Sequence, residues 1–129
     1  MTLTRRVLLT ALAALTVVPS ADAAERLPFE DKAFDKALAS GKSILVHVTA
    51  PWCAECKQQK PIVARLAEEP DFKNVIIFDV DFDTQKAALR DLHVQMQSTL
   101  LAFKGGKEIA RLIGDTRASA IEAVMRMAL

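Results

Sequence analysis

The sequence predicts one α/β domain, with a mixed central sheet of about four or five strands and helices on both faces. Three observations predict it. Two apolar runs rich in β-branched residues, Ile44–Thr49 and Val75–Val80, are separated by a long helical segment, as a parallel crossover requires. A later pair, Thr99–Phe103 and Glu108–Ile113, is joined by Lys104-Gly105-Gly106-Lys107, a hairpin turn. Helical periodicity fills the intervals of a 129-residue chain, a length suited to a single domain.

Taken in order, residues 24–28 carry no periodic signal and read as a short leader. Phe29, Ala33, Phe34, Ala37 and Leu38 recur at helical spacing and predict a helix over 29–40, stopped at Gly41. Ile44–Thr49 suits a buried central strand. Ala50–Cys53 must be a loop, and a helix follows over 54–69 with Ile62, Val63, Leu66 and Ala67 inward. Pro61 inside it should kink it, because proline lacks the amide donor and crowds the preceding turn. After the strand 75–80, Ala87, Ala88, Leu89 and Leu92 mark a helix over 84–92. The hairpin follows, and a last helix runs from about Thr116 to Ala128, with Gly114-Asp115-Thr116 supplying its turn and N-cap.

The first 23 residues have the pattern of a cleaved export signal. Arg5 and Arg6 are a positive n-region, and Val7–Val18 is a 12-residue apolar stretch broken only by Thr10 and Thr16. That is short of the roughly 20 residues a membrane span needs. Ala21-Asp22-Ala23 offers small residues at the cleavage positions, which places the cut after Ala23 and the domain at 24–129. A retained N-terminal anchor is the alternative, and no cysteine near the cut supports a lipid anchor. Arg5-Arg6 weakly resembles a twin-arginine signal but does not choose the export route. The formal charge is +1, and removing 1–23 leaves 15 basic and 15 acidic residues. With no basic stripe, nucleic acid is not an expected partner.

Export would place both cysteines in an oxidising compartment. They stand at Cys53 and Cys56, a spacing that closes a very small ring and restrains the unfolded chain little. That favours a chemical role over a stapling one. Cys53 falls at the N-terminus of the long helix, where free N–H groups and the helix dipole favour a thiolate. Cys56, on the same helical face and further in, is placed to attack a mixed disulfide on Cys53. Cys53 is therefore the expected nucleophile and Cys56 the resolving thiol. One C-x-x-C supplies only two metal ligands, and nothing in the spacing of His47 and His93 requires a metal, so none is expected.

The segment Ala50-Pro51-Trp52-Cys53-Ala54-Glu55-Cys56-Lys57 resembles the Trp-Cys-x-x-Cys-Lys signature of the thioredoxin family. Pro61, the run Thr99–Lys107 and Gly114 resemble the family's helix kink, strand and hairpin, and following glycine. The resemblance extends from about Phe29 to the end. It implies a thioredoxin fold and a redox-active Cys53–Cys56 disulfide, with no other cofactor. It also implies apolar substrate contact at Trp52 and backbone contact around Ser98 and Thr99.

Three departures from the family stand out. Ser98 occupies the place of a cis-proline, and a cis bond before serine would cost about 2.5–4 kcal/mol, so a trans bond and a reshaped groove are expected. His47 occupies the place of a buried acid that manages the proton of the inner cysteine. An imidazole can do the same near neutral pH, with Asp79 as its expected partner, although Ile77 is the other residue the alignment allows there. Core packing of His47 with a solvated Asp79 is the equal alternative. The dipeptide Ala54-Glu55 replaces the common Gly-Pro. Glu55 should raise the Cys53 pKa and lean the pair toward a reductant, with a merely solvated first-turn carboxylate as the alternative. Lys57 should lower it slightly, with a plain surface lysine as the alternative. Asp79, Asp81 and Asp83 lack the glycine and distal glutamate of a calcium loop.

The expected activity is thiol–disulfide exchange in the periplasm with cysteines of exported proteins, by a monomer. Reduction is favoured, because the chain is too short for the helical insertion of exported oxidants. Resemblance adds a membrane thiol-electron donor. The alternatives are a metal- or partner-binding module without turnover, made by Ser98, and a structural protein with a permanent disulfide.

Overall fold

In the computed structural model, which describes residues 22–129, strands and helices alternate. In chain order they are β1 (Glu25–Pro28), α1 (Asp31–Ala39), β2 (Ser43–Thr49), α2 (Ala54–Ala67), β3 (Val75–Asp81), α3 (Lys86–Asp91), β4 (Thr99–Lys104), β5 (Lys107–Ile113) and α4 (Ala118–Met127), with a 3-10 turn at Pro70–Phe72. The expected export signal lies outside the described residues except for Asp22 and Ala23.

The sheet order is β1-β3-β2-β4-β5. β3 runs parallel to β1 and β2, and β4 antiparallel to β2 and β5. The apolar run read as a central strand is central. The sequence reading left out β1, because a four-residue edge strand with only Leu27 partly buried carries too little pattern to see. The β4–β5 turn places Gly105 and Gly106 at φ 58° and 81°, the pair of positive values a two-residue hairpin of type I′ demands.

Alternation along β2 divides the core in two. Ile44, Val46 and Val48 face α1 and α3, packing with Phe29, Phe34, Phe78, Leu89 and Phe103. The rings of this side meet edge to face, with Phe34 5.7 Å from Phe78 and 5.4 Å from Phe103, the arrangement their quadrupoles favour. Leu45 faces the other way, with Val63 and Leu66 of α2, Ile77, Leu100, and Ile121 and Met125 of α4. His47 belongs to this second face by the same alternation.

Helix ends differ from the sequence reading for local reasons. α3 starts after Thr84 because the Asp81 carboxylate accepts from the amides of Asp83 and Thr84, at 2.8 and 3.1 Å, and holds them in a turn. Its C-terminus is a Schellman motif: Val94 N–H donates to Leu89 O and His93 N–H to Arg90 O. This explains the positive φ of His93. α2 runs unbroken through Pro61. α4 begins at Ala118 and has no side-chain cap; Asp115 instead accepts from the amide and guanidinium of Arg117.

A disulfide on a helix N-terminus, backed by a buried histidine

The C-terminal end of β2 delivers the chain into the loop Ala50–Trp52, and α2 opens at Ala54 with Cys53 as its N-cap. Cys53 and Cys56 form a disulfide with their Cα atoms 5.3 Å apart. Cys53 Sγ accepts from the Cys56 amide at 3.2 Å, so this sulfur takes the place of a capping oxygen and receives one of the helix's free donors. That is the contact that would stabilise a thiolate there. Exposure does not separate the pair, since Cys53 is 1% exposed and Cys56 0%. Position on the helix, not depth, distinguishes the two sulfurs.

The tuning residues lie where the sequence placed them. Glu55 Oε2 is 3.8 Å from Cys53 Sγ. Ala54 and Lys57 are exposed on the first turn of α2. Trp52 is exposed, and its indole N–H donates to both carboxylate oxygens of Asp83, at 3.1 and 3.0 Å. Its ring meets the edge of Phe82, which packs on the cysteine pair. Asp83 as the anchor of Trp52 was not foreseen, though the acidic run around it was visible.

The expected His47–Asp79 pair is not formed. The two residues are register partners on neighbouring strands, but Asp79 takes Arg26 of β1 in a two-point ion pair at 2.7 and 2.8 Å. Without β1 in view, the sequence offered no such competitor. His47 is fully buried, and its Nε2 lies 3.0 Å from Gln59 Oε1 on α2. Gln59 Nε2 donates at 3.0 Å to two backbone oxygens, those of Ser98 and Asp115. His47 Nδ1 has no hydrogen-bond partner among the described residues. Burial pushes the His47 pKa down to about 4, partly opposed by the Gln59 hydrogen bond and the nearby Asp79 charge. The imidazole is neutral at neutral pH. Gln59 was missed, although a glutamine on the inner stripe of α2, between Cys56 and Val63, is a polar residue at an apolar position.

The peptide before Ser98 is trans, as expected, and Ser98 sits at φ 54°, left-handed backbone that costs an L residue about 1 kcal/mol or more. Its Oγ donates to Gln97 O at 2.6 Å, and its carbonyl accepts from Gln59 and from Gly114 N–H. Thr99 is buried, and its hydroxyl donates to Met96 O at 2.7 Å. The Thr99 side chain and the Ser98 carbonyl are both turned inward, onto the protein. His47 and His93 do not converge, since His93 is exposed at the end of α3. No three His, Cys, Asp or Glu residues converge as metal ligands among the described residues.

The Thioredoxin family profile matches residues 25–127. The chain belongs to the thioredoxin family. Thioredoxin-2 of Saccharomyces cerevisiae is 33% identical over 92 residues, 70% of this chain and 86% of that protein. The thioredoxin of Mycolicibacterium smegmatis is 34% identical over 96 residues, 74% and 86%. The crystal structure of Trxlp from Edwardsiella tarda EIB202 superposes with a TM-score of 0.75 at 42% identity, covering 78% of this chain and 98% of that one. As a thioredoxin-family member, the protein is a thiol–disulfide oxidoreductase that acts through Cys53–Cys56 on proteins carrying cysteines.

Proposed function

We propose that this thioredoxin-family oxidoreductase works in the periplasm as a monomeric reductant of exported proteins. In this reading it is recharged by a membrane thiol-electron donor and uses no cofactor beyond its own disulfide. The N-terminal pattern of Arg5-Arg6, the apolar stretch and Ala21-Asp22-Ala23 supports the location. The observation that carries the direction is the Glu55 carboxylate 3.8 Å from Cys53 Sγ. A negative charge there opposes the thiolate and makes the dithiol readier to give up its electrons.

In the reduced protein the Cys53 thiolate attacks one sulfur of a substrate disulfide. A mixed disulfide forms and the other substrate sulfur leaves as a thiolate. The Cys56 thiol then gives its proton to His47 Nδ1 as its sulfur attacks Cys53 Sγ. The Cys53–Cys56 bond forms, the second substrate sulfur leaves, and the substrate has gained the two electrons the pair has lost. An ordinary thiol near pKa about 8.5 and a histidine near 4 are mismatched by ~6 kcal/mol for full proton transfer at rest. The proton therefore moves in concert with the attack, through His47 Nδ1 to the departing substrate sulfur, which leaves as a thiol, so that His47 ends the step neutral.

A redox titration against dithiothreitol, read by the fluorescence of Trp52, tests the direction. Trp52 is the only tryptophan and adjoins Cys53. A two-electron midpoint well below about −200 mV is expected, whereas one near about −120 mV would make the protein an oxidant. For the location, the chain recovered from a periplasmic extract should begin at Ala24.

A further inference from the structure

Gln59 is fully buried and makes three hydrogen bonds, which use both amide hydrogens and one lone pair of its carbonyl oxygen. Its Nε2 lies 3.0 Å from the backbone oxygens of Ser98 and Asp115, and its Oε1 3.0 Å from His47 Nε2. Carbonyl oxygens only accept, so the two amide hydrogens must point at them and the amide cannot be turned over. Oε1 can then only accept, and His47 Nε2 must be the nitrogen that carries the proton. Nδ1 is left as a bare lone pair, buried and without a hydrogen-bond partner among the described residues. Cys56 lies one turn before Gln59 on the same buried face of α2.

We propose that Gln59 is a positioning residue for thiol–disulfide exchange: its amide fixes His47 as the Nε2–H tautomer, so that the ring offers its Nδ1 lone pair to the resolving cysteine. The inference rests on the reading of His47 as the proton acceptor for Cys56. The clamp also ties that proton site to the Ser98 carbonyl, which Gly114 N–H fills from the other side at 2.9 Å. The backbone that replaces a cis-proline is thereby held by the same side chain that orients the base. The charged groups acting on His47 are Asp79 on β3, Arg26 on β1 and Lys60 on α2. Asp79 and Arg26 largely satisfy each other, and Lys60 and Asp79 line an open cavity of about 310 Å³. Among these, the Gln59 hydrogen bond is the contact that selects a tautomer.

Long-range ¹H–¹⁵N correlation on the wild-type protein, oxidised and reduced, reads the tautomer directly and needs no variant. A single protonated nitrogen, Nε2, is expected at His47; a proton on Nδ1, or a mixture, would overturn the inference. Two variants read its consequence in the pH profile of the resolution step. Gln59→Met should slow resolution about tenfold or more, part of the range a positioned base supplies. Gln59→Glu, which still accepts from Nε2 but adds a negative charge, should move the His47-dependent limb up by at least about one pH unit. If both profiles match the wild type after scaling, Gln59 only packs and the inference fails. His47→Gln keeps a donor toward Gln59 and removes the lone pair. If it retains the wild-type limb, the proton-acceptor reading falls, and this inference with it. If it loses the limb while both Gln59 variants keep the wild-type profile, only the role of Gln59 falls.

Discussion

The two faces of the sheet solve the same burial problem with different chemistry. The face under α1 and α3 is apolar except for Thr99 at one end of β4, and is closed by Phe29, Phe34, Phe78 and Phe103. The face under α2 and α4 is apolar at its far end, but beside the disulfide it admits His47 and Gln59, both buried, with the Gln59 amide reaching the Ser98 carbonyl. A buried polar group is costly unless its partners are fixed. Here every buried side-chain nitrogen and oxygen among the described residues has a partner except His47 Nδ1. One face supplies stability. The other gives some up and gains a reactive site.

That contrast can be broken from either side. The largest effect is expected from Phe34→Ala, which should cost about 3–5 kcal/mol in chemical denaturation while leaving the exchange rate per folded molecule unchanged. A matching fall in rate would mean that the faces are not separable.

His47→Gln should act through pH. The histidine's folded pKa is depressed, from 6.5 to about 4, so its neutral form is tolerated by the fold and its charged form is not. Stability is present above about pH 6.5 and is lost as pH falls toward 4, because the unfolded chain takes up a proton that the folded chain refuses. A gap of that size is worth about 3 kcal/mol. Wild type should lose that much more than His47→Gln between pH 7 and 4 in parallel denaturation curves. Identical curves would show that the ring is protonated easily in place.

Ser98→Pro restores the residue common in the family and should nevertheless destabilise, by about 1–3 kcal/mol. Proline cannot take the φ of 54° held here, so the Gln59–Ser98 contact must break; a thermal melt gives the sign. The smallest effect is expected from Arg26→Ala. The ion pair with Asp79 is partly solvated, with side chains 31% and 36% exposed, and such pairs contribute under about 1 kcal/mol. The pH–rate profile should stay where it is. A shift would restore Asp79 as a functional partner of His47.

Much of the fold was legible because its central elements are locally consistent. The run 44–49 can be little but a buried strand, and Gly105-Gly106 suits little but a tight hairpin. The cysteine pair was legible for a similar reason, since its chemistry is written in two adjacent turns of sequence. What escaped depends on distant contacts. β1 is recognisable only through its pairing with β3, and with it went Arg26 and the true partner of Asp79. Gln59 is recognisable only once three segments converge on it: β2, the loop before β4 and the loop before α4. Periodicity does place it on the inner stripe of α2, but no period reports what an amide will meet there.

The disulfide itself lies beneath the surface, with 1% and 0% of its two residues exposed. A wire is insulated so that current leaves it only at a chosen contact, and burial does the same for the redox chemistry held in this bond. A small thiol or peroxide diffusing past the oxidised protein meets side chains before it meets sulfur. A protein partner presents a broad face that can part the surrounding loops and remain while two sulfurs exchange. Wherever small oxidants and reductants are abundant, such insulation favours the partner's traffic over leakage to solvent.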